Sequence, residues 1–247
     1  MERFNPDLNR AEATQVEGVV DPKLIDEWND CGYTIEKFGE DCSVVMLGEF
    51  HNDSDIKEKQ IELIKAINPQ YVLYESLNGW QYDPSTKEYT KIEGRDFLEG
   101  YEDEYFNKTG HGENPKESTQ NHLAKKIVDT ADEIGFKVIG CDLTLAEQAK
   151  VAQNIAILHP DEYTYDPEFH VLEKKKDPDY VFTGTVPEAV SARDVKMVEI
   201  IVEYQKKSDR PIVVIVGANH GNHIHEQGML KESGFGYVYI NQTRSTK

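Results

Sequence analysis

Cysteine is scarce in this chain: there are three in 247 residues, Cys31, Cys42 and Cys141. The count is odd, the spacing is irregular and no C-x-x-C occurs, which excludes a disulfide framework and a thiolate zinc site. Cys141 ends an apolar run and reads as a small buried hydrophobe. Unpaired thiols of this kind belong in a reducing compartment. Long hydrophobic runs are missing too. No stretch approaches the roughly 20 apolar residues of a membrane span, and residues 1–20 are too polar for a signal peptide. The expectation is a cytoplasmic protein. Positive charge is in short supply: 27 Lys and Arg stand against 46 Asp and Glu, for a net charge of -19. Such a surface repels phosphate backbones and anionic lipid, so neither nucleic acid nor a membrane is expected as a partner. Internal repeats and low-complexity tracts are also absent.

What is present is a rhythm. Short runs rich in Val and Ile, at 43–47, 71–74, 137–140, 212–216 and 237–240, read as buried strands. Helical patterns fall between them at 54–67, 119–134, 145–157 and 190–205. In the first of these Ile56, Gln60, Leu63, Ile64 and Ile67 share one face. Alternation of this type predicts an α/β fold: an open, mainly parallel sheet with helices on both faces. Residues 1–42 read as an N-terminal extension, with Asp21-Pro22 opening a short helix. Residues 43–247 read as a single α/β domain, catalytic on the reading given below. It carries two insertions, at 78–117 and 159–185, that break the rhythm. The first is dense in aromatics (Trp80, Tyr82, Tyr89, Phe97, Tyr101, Tyr105, Phe106). It is expected to form a mobile substrate wall, with an oligomer contact as the competing reading.

The residues that carry chemistry stand where strands end. Gly48-Glu49-Phe50-His51 follows the first strand, Glu75 ends the second, and Gly217-Ala218-Asn219-His220 follows the strand at 212–216. In open α/β sheets ligands bind at these carboxyl ends. Glycine at such a point permits a tight turn, and a carboxylate ending a buried strand calls for a partner. Two imidazoles converging with carboxylates suit a divalent transition metal or a metal-free acid–base site. His223 and His225 follow within a helix and read as helix-surface residues, leaving His220 as the functional one. Arg193, read as opening a helix, opposes the helix dipole and would be tolerated if it reached a carboxylate.

Together these residues resemble the TIKI/TraB superfamily, which also takes in ChaN-like proteins and erythromycin esterases. The resemblance rests on Gly48-x-x-His51, Glu75, Arg193-Asp194-x-x-Met197 and Gly217-x-x-His220. The opening from Leu47 to Gln60 is especially ChaN-like, and Gly140-Cys141-Asp142 looks like the strand-end Asp of TraB relatives. The resemblance implies a hydrolase acting on a peptide or small-molecule substrate through a water nucleophile. His51, Glu75 and His220 would hold a divalent ion (Mn, Co or Zn), Glu49 would act as general base, and Arg193 would stabilise the oxyanion or orient Glu75. Two alternatives remain. One is a metal-free esterase of the erythromycin-esterase type. The other is a non-catalytic ligand-binding or regulatory protein, including a haem binder with a tyrosine ligand drawn from Tyr101, Tyr105, Tyr163 or Tyr165.

Overall fold

In the computed structural model, residues 20, 22–40, 42–50, 54–100, 119–175, 180–181 and 186–243 are described. The centre is an eight-stranded sheet. Its strands, in chain order, are β1 (Thr34–Phe38), β2 (Cys42–Glu49), β3 (Tyr71–Tyr74), β4 (Trp80–Asp83), β5 (Glu88–Lys91), β6 (Lys137–Gly140), β10 (Ile212–Gly217) and β11 (Gly236–Asn241). Their spatial order is β1-β11-β2-β10-β3-β6-β4-β5. The five inner strands from β11 to β6 run parallel, and the outer pairings β1–β11, β6–β4 and β4–β5 are antiparallel. All five expected strands are therefore present, and they form the parallel core. They were legible because parallel strands are buried on both faces: every residue of β10 is buried, so its sequence is continuously apolar.

Helices cover both faces. On one face lie α1 (Pro22–Asp30), α2 (Ser54–Ile67) and α3 (Thr119–Ile134), which bury Trp28, Ile56, Leu63 and Ile127 against Val45, Leu47, Val72 and Val213. On the other lie α5 (Pro187–Lys207) and α6 (Ala218–Glu226), which bury Met197, Ile201 and Ile224 against Val44, Met46, Leu73 and Val214. From Val44 to Leu47, odd and even positions of β2 thus go to opposite cores, as the two-residue period of a strand requires.

Both expected insertions contain strands. Residues 80–91 form the β4–β5 hairpin that extends the main sheet. Tyr82 of that hairpin is buried, and its hydroxyl donates to Asp132 on α3 at 2.6 Å. This part of the expected wall is anchored in the sheet. Residues 101–118, with Tyr101, Tyr105 and Phe106, lie outside the described residues. Residues 163–181 form a separate three-stranded sheet of β7 (Tyr163–Asp166), β8 (Val171–Lys174) and β9 (Tyr180–Val181). It packs through Leu172 on Ala152 and Ile155 of α4 (Leu145–Leu158). Residues 22–38 contribute α1 and the edge strand β1. Among the described residues no helix is long and apolar enough to cross a membrane.

Candidate functional site

Because β2, β10, β3 and β6 are parallel, their carboxyl ends share one edge, and Glu49, Gly217, Glu75 and Asp142 stand there. Strand pleating then separates the two glutamates. Tyr74 belongs to the α2 face, so Glu75, one residue on, turns to the α5 face. Glu49 follows the parity of Val45 and Leu47 and turns to the α2 face.

There, Glu49 is buried and accepts from Lys57 Nζ at 2.7 Å and Gln60 Nε2 at 2.5 Å. Gln60 also donates to Gln242 at 2.6 Å, and the Lys57 ammonium lies 5.1 Å from the centre of the Tyr74 ring. Burial pulls the Lys57 amine below the ordinary lysine range, with Glu49 pulling the other way. The residue expected to serve as general base is thus tied into an ion pair on the far face of the sheet. His51, expected as a metal ligand, lies outside the described residues.

The α5 face gathers the remaining groups. Arg193 bridges two carboxylates. Its Nε donates to both Asp142 oxygens at 3.0 Å, and one terminal nitrogen, Nη2, reaches Asp142 at 2.5 Å and Glu75 at 2.7 Å. The other, Nη1, has no hydrogen-bond partner among the described residues. The second Glu75 oxygen accepts the Gly217 amide at 2.5 Å. Burial alone would lower the Arg193 pKa, but its bonds to Asp142 and Glu75 outweigh this and hold it above the ordinary arginine value. Burial pushes the Asp142 carboxyl up, and Arg193 opposes the shift. Arg193 sits in the second turn of a helix begun at Pro187, where proline is preorganised at the first position. It therefore does not face the dipole penalty that its sequence position suggested.

Beside this cluster, Asp194, fully buried, binds two histidines. Its oxygens lie 2.5 Å from His220 Nδ1 and 2.5 Å from His223 Nδ1. His220 Nε2 lies 3.8 Å from Glu75. His223, expected on the helix surface, is half-exposed and also bonds Asp194: residues three apart share a helix face, so His220 and His223 meet the same carboxylate. His225 points elsewhere, to Tyr237 at 2.9 Å and Glu36 at 2.8 Å. The His-x-x-His spacing was the available signal for the pair. Asp194 was visible only as the neighbour of Arg193.

Glycine has a different role here from the expected turn. Gly48 lies inside β2, and a Cβ there would meet the Tyr239 hydroxyl at 2.6 Å. A Cβ on Gly221 of α6 would stand 2.9 Å from the same hydroxyl and 3.3 Å from Gly48 Cα. Both glycines let α6 lie directly on β2, which brings His220 down to the sheet edge.

Among the described residues no group of three or more His, Cys, Asp or Glu side chains is arranged to hold a metal ion. Of the expected divalent-ion ligands, Glu75 accepts from Arg193 on one oxygen and from the Gly217 amide on the other. Of the tyrosines considered for haem, Tyr165 donates to or accepts from His170 Nδ1 at 2.7 Å, and Tyr163 lies edge-on to His159.

The sequence model of one protein family matches residues 39–231; that family is described as "Haem-binding uptake, Tiki superfamily, ChaN". The chain matches none of the curated proteins and none of the solved structures.

Proposed function

From the premise that the chain belongs to the ChaN family of haem-binding uptake proteins in the Tiki superfamily, we propose that it binds haem through histidine at the carboxyl edge of its parallel sheet. The observation that carries this reading is the shared Asp194. An ionised carboxylate only accepts hydrogen bonds, so each imidazole must present Nδ1–H to it. In the neutral ring the lone pair then resides on Nε2. A metal-binding histidine is built in this way, with one nitrogen fixed by a carboxylate and the other bare. Two further groups at this edge could meet a porphyrin bearing propionates. Arg193 Nη1 is a donor for a carboxylate, and Phe50, which follows β2 at the same edge, is 59% exposed. Haem, when bound, would supply iron with an open coordination position. The test is a titration of the purified chain with hemin, followed through the Soret band. A saturable one-to-one spectral change that is lost in the His220→Ala/His223→Ala double variant is expected. An unsaturable change, or one the double variant reproduces, refutes the reading.

A second reading is favoured by the 3.8 Å approach of His220 Nε2 to Glu75. An Asp-oriented imidazole beside a carboxylate can take a proton from water, so hydrolysis of a peptide or small ester without a metal fits the same residues. In a metal-dependent version Glu75 would bind through lone pairs not taken by Arg193 and the Gly217 amide. Chelator-resistant hydrolysis that disappears in His220→Ala would establish the second reading over the first.

A further inference from the structure

The geometry points to a second binding site, for a free α-amino acid with an aliphatic side chain, in the cavity between residues 92–95 and α5. It stands apart from the Asp194 cluster and depends on neither reading of that cluster. Arg95 is its centre. The Arg95 side chain is 8% exposed. Its Nε donates to Glu147 at 2.8 Å, and its Nη2 donates to Glu147 at 2.5 Å and to the Asp142 carbonyl at 2.6 Å. Nη1 is buried and has no hydrogen-bond partner among the described residues. A guanidinium nitrogen only donates, and a dry, unpaired donor is costly to a fold. Arg95 lines a cavity of about 190 Å³. An acceptor seated there would complete the guanidinium.

The other walls indicate what carries that acceptor. The cavity is several times the roughly 30 Å³ of a water molecule, yet smaller than the roughly 300 Å³ at which drug-sized pockets begin. Ile92, Ile200 and Tyr204 make part of its lining apolar. Among its charged residues, Lys196 donates to Glu199 at 2.6 Å, and Glu203 accepts from Lys207 at 2.5 Å. That leaves Arg95 Nη1 and Glu93, which is exposed and makes no ion pair with a described residue. The first calls for a carboxylate and the second for a cation. A dianion such as phosphate would meet three glutamates and be repelled. A simple carboxylate would leave Glu93 unmatched. An α-amino acid carries both charges on one carbon, and an aliphatic side chain suits Ile92 and Ile200. The cavity is also preformed. The Ile92 amide donates to the Gly79 carbonyl at 2.9 Å, and the Asp96 carbonyl accepts the Thr144 hydroxyl at 2.6 Å. Little ordering is left for binding to cost. Asp142, whose carbonyl accepts from Arg95, holds Arg193 through its carboxylate, so one residue joins this cavity to the candidate site.

The experiment is a calorimetric titration of the full chain with L-leucine, compared with N-acetyl-leucine, leucinamide and glycine. Leucine should bind saturably, one-to-one. Loss of the ammonium, the carboxylate or the side chain should each weaken binding about tenfold or more, as losing a charge-assisted hydrogen bond or its apolar burial does. Ile200→Phe fills the cavity from α5 and leaves every bond of Arg95 in place, so it should abolish binding. Glu93→Gln, an exposed change, should weaken it. Failure of leucine to bind folded wild type overturns the proposal. Equal binding of N-acetyl-leucine, leucinamide or glycine overturns the amino-acid assignment, and binding that survives Ile200→Phe would place leucine elsewhere. Should Ile200→Phe not fold, leucine affinity unchanged in both Glu93→Gln and Arg95→Lys overturns the proposal on its own.

Discussion

Lys57 and Glu49 show how a single residue can be both buried and charged. Each side chain is about 1% exposed, so each has lost its hydration and depends on the other. Removing one partner of such a pair costs about 3–5 kcal/mol, because an uncompensated charge is left in the core. Lys57→Met is therefore expected to destabilise the protein by that amount, and Glu49→Gln by somewhat less, since Gln60 remains beside it. The double variant should lose less than the sum, because it leaves no buried charge. A double-mutant cycle by urea denaturation measures this coupling; additive losses would mean that the pair does not interact in solution. The result also bears on function. Glu49, expected to act as general base, accepts from an ammonium and an amide. The proposed site, in which Asp194 bonds His220 and His223, stands on the other face.

At the scale of elements, the docking of α6 on β2 decides whether those histidines reach the sheet edge. Gly48→Ala would place a methyl group 2.6 Å from the Tyr239 hydroxyl and close to Gly221. Overpacking of this kind costs about 1–3 kcal/mol. Thermal denaturation should show the loss, and Tyr239→Phe in the same chain should recover part of it. A neutral Gly48→Ala would show that α6 is not held in close contact. The same scale explains what could be read from the sequence. The inner strands announced themselves because burial on both faces requires unbroken Val and Ile. The edge strands did not: β1 reads Thr-Ile-Glu-Lys-Phe and alternates buried with exposed, and the β4–β5 hairpin mixes aromatics with charge because one face meets solvent. The placement of the candidate site residues was legible where a residue ends a strand, as with Glu75, or opens the following helix, as with His220. Asp142 was marked only by its likeness to a family motif. The pairing of His223 with Asp194 was hidden because it joins two helices 29 positions apart in sequence, a contact that only tertiary packing defines.

The whole molecule carries a net charge of -19, and its effect on stability is separate from any one contact. Surface pairs such as Lys65–Glu133, Lys125–Asp129 and Lys207–Glu203 are solvent-exposed. Pairs of that kind contribute at most about 1 kcal/mol each, and salt weakens them. The excess of carboxylates works in the opposite direction. It sets up a long-range repulsion that the compact state suffers more than the unfolded chain, and salt relieves it. Between about 0.01 M and about 1 M the Debye length falls from about 30 Å to about 3 Å. Repulsion acts over the longer distances, so it is screened first, while ion pairs in contact persist. Stability should therefore rise with sodium chloride, most steeply at the low end of that range, and then flatten. The measurement is the melting temperature across a salt series, with a charge-neutral osmolyte as the control for general exclusion from the surface. A steady linear increase matched by the osmolyte would point to exclusion alone. A melting temperature that falls as salt is added would show that the surface ion pairs outweigh the net repulsion, and that the acidic excess is not what limits the stability of this fold.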